Sequence, residues 1–189
     1  MPLSKILSAS IQSGAVETNN ILEVVTGPCD GRTVSTSNGN ITLSNITAEQ
    51  QLTTSFADVT GSSIAYTPPS GTTHFKYSFQ FWKGQGTGSF HMNTSILVDG
   101  TEIDNSRITS YGGSDKVNVE YIFKINASSE DLAKGHFTSW SSNKTIKVQA
   151  KEYNSSNEVQ VHALHYWTST NQGYISTPII TITAYKDAS

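Results

Sequence analysis

His162 and His165 stand three positions apart in the run EVQVHALHYW, with Glu158 just upstream. On a helix the two imidazoles would share a face and could hold a metal ion together, because positions three apart are neighbours there. On a strand they would point to opposite faces. The flanking residues decide between the two. Val159, Val161, Ala163, His165 and Trp167 fall on one side of a two-residue period, and Glu158, Gln160, His162, Leu164 and Tyr166 on the other, with β-branched residues and no cap. The pattern predicts a strand and no shared metal, with His165 free to bond a carbonyl in or beneath a sheet. His74, His91 and His136 lie in separate segments and form no ligand set of recognisable spacing.

The other reactive residue types are no better placed for catalysis. Cys29, the single cysteine, sits in TGPCDG among the turn formers Gly27, Pro28, Asp30 and Gly31. It reads as a buried or idle turn thiol, since a nucleophile would need a histidine base beside it. KGQGTGS at 83–89 is glycine-rich but lacks the lysine and serine that end a phosphate-binding loop, and no helix follows it. A hairpin turn is expected there. The chain contains no GxSxG elbow and no HExxH motif. Its carboxylates are thinly spread, and Asp99, Asp104 and Asp115 leave open a divalent ion bridged between loops. The expectation is a protein that is not an enzyme, with no catalytic residues, no cofactor and no resident metal. Aromatic rings near glycine or serine clusters are more suggestive. Trp82, Tyr111, Trp140 and Tyr174 are candidate contacts for a glycan or a neighbouring subunit, with core packing as the competing role.

Strands must position these residues, because two-residue alternation recurs along the chain and no segment carries a 3.6-residue apolar stripe. THFKYSFQFW puts Phe75, Tyr77, Phe79 and Phe81 on one face and His74, Lys76, Ser78 and Gln80 on the other. Similar readings cover 21–25, 41–47, 62–67, 90–98, 116–125, 145–153, 159–167 and 179–185, about nine strands in all. Turn chemistry separates them at SNGN, TPPSGT, DGTE and YGGSD, and Asp99-Gly100 is the strongest hairpin signal, since a type I′ turn needs positive φ at both positions. SSEDLAKG at 128–135 is expected to form a single helical turn with Ser129 as N-cap and Gly135 as its stop. Many short strands without intervening helices predict an all-β, two-sheet antiparallel jelly-roll sandwich.

Length and composition agree with one such domain. The 189 residues carry 12 Lys and Arg against 15 Asp and Glu, with no block of like charge. Neither nucleic acid nor an acidic membrane is an expected partner. Ser, Thr and Asn make up about a third of the chain while charged residues are only 14%, against roughly 25% in an average soluble domain. Neutral hydroxyls and amides therefore cover the surface. No signal peptide or membrane span is recognisable, so the sequons at Asn40, Asn45, Asn93, Asn126, Asn143 and Asn154 are read as products of composition. Residues 1–20 differ from the rest, with Leu3, Ile6, Leu7, Ile11 and Val16 scattered among small polar residues. They are expected to form an anchoring arm that docks on a larger assembly or on neighbouring subunits, with a disordered terminus as the competing reading and 21–189 as the jelly-roll domain.

The order of segments also carries a resemblance. ILEVVTGPCDGRTV, then LTTSFADVTGSSIAYTPPSGTTHFKYSFQF, and finally PIITITAYK resemble the C1q/TNF-like jelly-roll domains of virion surface proteins from marine tailed phages and large algal viruses, over about residues 21–185. The resemblance implies a homotrimer burying apolar sheet faces along a threefold axis. It implies a virion structural protein displayed on a fibre, spike or capsid surface; taken with the N-terminal arm, the expectation is a protein made in the host cytoplasm and joined to other virion proteins through that arm, with a host-surface glycan as a candidate partner. The short arm, in place of a long shaft, favours a spike, cap or capsid-associated protein. A free-standing carbohydrate-binding module is the alternative.

Overall fold

The computed structural model describes residues 20–84, 90–156, 158–165 and 173–187. In chain order its strands are β1 (Ile21–Pro28), β2 (Thr33–Thr36), β3 (Gly39–Thr42), β4 (Gln50–Gln51), β5 (Ala57–Asp58), β6 (Ile64–Tyr66), β7 (His74–Gly84) and β8 (Met92–Val98). They continue as β9 (Thr101–Ser110), β10 (Asp115–Lys124), β11 (Lys144–Glu152), β12 (Gln160–Val161), β13 (Ala163–His165), β14 (Gly173–Ile175) and β15 (Ile179–Tyr185). The alternation of THFKYSFQFW becomes β7, whose Phe75, Tyr77, Phe79 and Phe81 are at most 1% exposed, while the intervening side chains stay partly open to solvent.

β7 is the spine of a six-stranded sheet ordered β1-β15-β7-β12-β4, with β10 also paired to β7. β10 runs along one edge of β7, while β15 and β12 share the other. The second sheet is ordered β5-β11-β8-β9, and β6 pairs with β11 beside β5. β2–β3 and β13–β14 form two-stranded ribbons, and every strand pair in both sheets and ribbons is antiparallel. Consecutive strands repeatedly change sheet, from β6 to β7 to β8 and from β9 to β10 to β11. That is the jelly-roll sandwich predicted from the strand pattern. The inner faces close over one apolar core in which Phe75, Phe123, Phe137 and Trp140 pack ring against ring at centroid distances of 4.7–6.2 Å.

Several expectations change. β7 and β8 belong to different sheets and do not pair with each other, and the glycine-rich residues 85–89, where a hairpin turn is expected, lie outside the described residues. Strand β9 has no counterpart among the predicted strands, because its inward residues Ile103 and Ser106 are three apart and break the period. The Ser106 hydroxyl donates to Ile103 O and accepts from Ile96 N, filling the bulge that causes the break. Asp131 caps the 3-10 turn Leu132–Lys134 in place of Ser129, and Gly135 ends it with φ 63° as predicted. The arm residues Leu3, Ile6, Leu7, Ile11 and Val16 lie outside the described residues.

The Asp99-Gly100 hairpin forms as its chemistry requires. Asp99 has φ 49° and Gly100 φ 82°, between Val98 and its partner Thr101. A Cβ on Gly100 would meet nothing within 4 Å, so only the backbone conformation resists substitution. Gly100→Ala should therefore cost about 1 kcal/mol, read as a lower denaturant midpoint with an unchanged slope.

Candidate functional site

The run that opens the functional question is not one strand. β12 ends at Val161, His162 takes φ 66°, and β13 begins at Ala163 in a separate ribbon. The expected placement of both histidines on opposite faces of one strand is thus corrected. Two backbone bonds hold the break, His162 N donating to Trp82 O at 2.7 Å and Ser176 N donating to His162 O at 2.7 Å. His162 is fully buried, its Nε2 sits 2.9 Å from Thr60 O, and its ring is packed edge-on against Phe79 and Phe81. A carbonyl only accepts, so Nε2 carries the proton and Nδ1 is left as a buried lone pair. Burial holds the imidazole down to about pKa 4, with the Thr60 carbonyl opposing it weakly. It is a neutral core group.

Cys29 is likewise buried, with Sγ 3.4 Å from Gly61 O. Burial, helped by neighbouring Asp30, pushes its thiol up to about 11, which removes thiolate character at neutral pH. The loop carboxylates do not converge. Asp99 faces Lys144, Asp104 faces Arg107 and Asp115 faces Lys83. Among the described residues no group of three or more His, Cys, Asp or Glu side chains could hold a metal ion.

The four candidate aromatic residues go to four different places. Trp140 is 5% exposed and its indole N–H donates to Tyr66 O at 2.9 Å, so it is a core ring and not a surface for sugar. Trp82 is half-buried on the outer face of the six-stranded sheet. Tyr174 lies on β14, opposite Leu164, and is 44% exposed. Tyr111, 68% exposed, joins other rings at the surface.

That joining follows from strand register. Met92 pairs with Ser110 on one side and Glu152 on the other, so the residues flanking those positions meet at one end of the five-stranded sheet. They are Tyr111, His91 and Tyr153. The His91 ring stands edge-on to Tyr111 at 4.9 Å and to Tyr153 at 6.3 Å. Tyr153 is also 68% exposed, and its backbone N–H donates to His91 O at 3.0 Å. With Met92, Asn93 and Thr109 the three rings line a cleft of about 470 Å³. Inspection of the sequence singles out Tyr111 alone. An aromatic at the same end of each of three paired strands is the signal that would have found the other two.

Beneath the cleft lies an unexpected charge. Lys83 is inward-facing on β7, its side chain fully buried, and Nζ donates to Phe90 O at 2.9 Å and Tyr111 O at 3.2 Å. Burial lowers its affinity for the proton, and Asp115, 3.7 Å away, works in the opposite sense. One lysine therefore ties together the two segments that carry His91 and Tyr111.

No protein-family model matches the chain, and no curated protein matches it in sequence. Solved structures with a similar arrangement include the C-terminal domain of EclA, described as a sugar-binding protein, at 12% identity and TM-score 0.36, covering 69% of this chain and 79% of that one. Another is an infectious bursal disease virus Gt strain structure at 11% identity and TM-score 0.36, covering 88% of this chain but only 38% of the viral chain. A third is CBM35 from Paenibacillus barcinonensis at 13% identity and TM-score 0.26, covering 87% and 99%.

Proposed function

We propose that the chain is a virion structural protein, a homotrimeric jelly roll displayed at the particle surface, attached to other virion proteins by residues 1–20 and meeting the host surface without bond-making chemistry. The C1q/TNF-like resemblance of residues 21–185 suggests it. The geometric observation that carries it is the distribution of exposed aliphatic side chains on the six-stranded sheet. One outward row across that sheet reads Val24, Thr183, Lys76 and Ile122. Its two ends, on the terminal strands β1 and β10, are 53% and 58% exposed. Ile21 and Leu22 extend the apolar edge of β1.

Between those edges the face is polar and internally bonded. Thr26 and Thr181 hydroxyls lie 2.8 Å apart, Ser78 donates to Asn118, and Lys76 pairs with Glu120. Two unlike apolar edges on one subunit suit a head-to-tail contact, β1 of one copy against β10 of the next, and such contacts close into rings. Native mass spectrometry should give a trimer, and Ile122→Ser or Val24→Ser should dissociate it. Deleting residues 1–20 should leave the trimer intact and remove it from particles. A monomer at about micromolar concentration, where a stable interface above roughly 1,000 Å² would hold, would overturn the trimer. The second reading, a free-standing carbohydrate-binding module, would then stand on the ring cluster alone.

A further inference from the structure

We infer that the cleft of Tyr111, His91 and Tyr153 is a binding site for a neutral pyranose, the residue by which the displayed domain would grip a surface glycan. The volume, about 470 Å³, lies within the roughly 300–1,000 Å³ of small-ligand pockets. Its walls are two tyrosine rings, each 68% exposed, held at steep angles to the imidazole between them, 76° and 67°. A pyranose presents an apolar C–H face that stacks on such a ring and a rim of hydroxyls that needs amide and hydroxyl partners. Asn93 and Thr109 supply those partners beside the rings.

Charge narrows the class. Among the described residues the lining is His91, Met92, Asn93, Thr109, Tyr111 and Tyr153, without a lysine, arginine or carboxylate, and the nearby ammonium of Lys83 is spent on two backbone carbonyls. An acidic sugar would bring a carboxylate with no cation among the described lining residues to receive it, and Lys151, opposite Asn93 on β11, has its ammonium over the Phe56 ring. The floor is rigid, because Met92 is 1% exposed and locked between two paired strands. The backbone that carries the rings is thus held in place, which lowers part of the ordering cost of binding.

The inference deepens the recognition part of the proposed function, and rests on that reading only for where the sugar would be met. It is tested on the full chain by saturation-transfer and chemical-shift titration with methyl glycosides of galactose, glucose, mannose and N-acetylglucosamine, with sialyllactose as the charged probe. At least one neutral glycoside should bind saturably with Kd near or below about 10 mM, with saturation strongest on its ring C–H protons. Tyr153→Ala and Tyr111→Ala should each weaken it tenfold or more without moving Tm, since both rings project from the fold. No saturable neutral probe, a preference for sialyllactose, or a variant that changes the sedimentation coefficient but not the titration would each overturn the inference. The last would make the cleft a subunit contact. Particle incorporation is a separate readout, so a chain that enters particles but binds no sugar loses the site and keeps the proposed function.

Discussion

Acidification from neutral pH to about pH 4 should remove about 3 kcal/mol of folding stability through His162 alone. The unfolded chain accepts a proton on this imidazole near its ordinary value of 6.5, while the folded chain resists until about 4. The native state thus binds fewer protons than the unfolded state across that window, and stability falls as pH drops through it. Two and a half decades at about 1.4 kcal/mol each give about 3.5 kcal/mol in full, of which about 3 kcal/mol is lost by pH 4, where the folded-state imidazole is half protonated. The cause is visible in the packing. Nδ1 would have to carry its proton inside a site walled by Phe79, Phe81 and Thr60, where no polar atom among the described residues faces it. His162→Asn keeps a residue that tolerates positive φ and cannot titrate. Urea unfolding of wild type and variant at several pH values should show the variant weaker at pH 7 and flatter below it. Parallel curves would mean that the folded protein protonates His162 as easily as the unfolded chain does.

The same residue shows where inference from sequence stops. A two-residue period runs through VQVHA and weakens only at Leu164 and His165, beyond the break, and nothing local predicts a left-handed residue at His162. The break is made by Trp82 O and Ser176 N, which come from distant segments, so tertiary bonds override the local pattern. β7 and the Asp99-Gly100 turn were legible for the opposite reason. An uninterrupted inner face of Phe and Tyr, and a pair of residues that accept positive φ, each state their structure without help. β9 was hidden because Ser106 stands in for a core aliphatic at a bulge. Trp140 looked like a loop ring among serines, yet its N–H finds Tyr66 O and its faces find Phe75 and Phe137. Of the candidate site only Tyr111 could be seen, since its partners are adjacent through hydrogen-bonded register and not through chain order.

Lys83 is the residue whose loss should damage both fold and site. Its position on β7 continues the inward series Phe75, Tyr77, Phe79 and Phe81, so an apolar residue of similar length would fit the pattern better than a lysine. The structure uses it instead as a double donor to Phe90 O and Tyr111 O. Lys83→Met preserves most of the volume and leaves two carbonyls without that donor, at about 1–3 kcal/mol each when water cannot reach them. Both lie near the surface, so a total of about 2–4 kcal/mol is expected in chemical denaturation. Asp115→Asn is the contrasting change. That carboxylate is half exposed and 3.7 Å from Nζ, and removing its charge should cost under about 1 kcal/mol. A Lys83→Met protein as stable as wild type would mean that the ammonium was retained at a net cost to the fold, as some buried charges are. The lysine would then be explained by position alone: Lys83→Met should still lose the tenfold or greater saccharide response, because freeing Tyr111 and Phe90 separates the rings that one ammonium holds together.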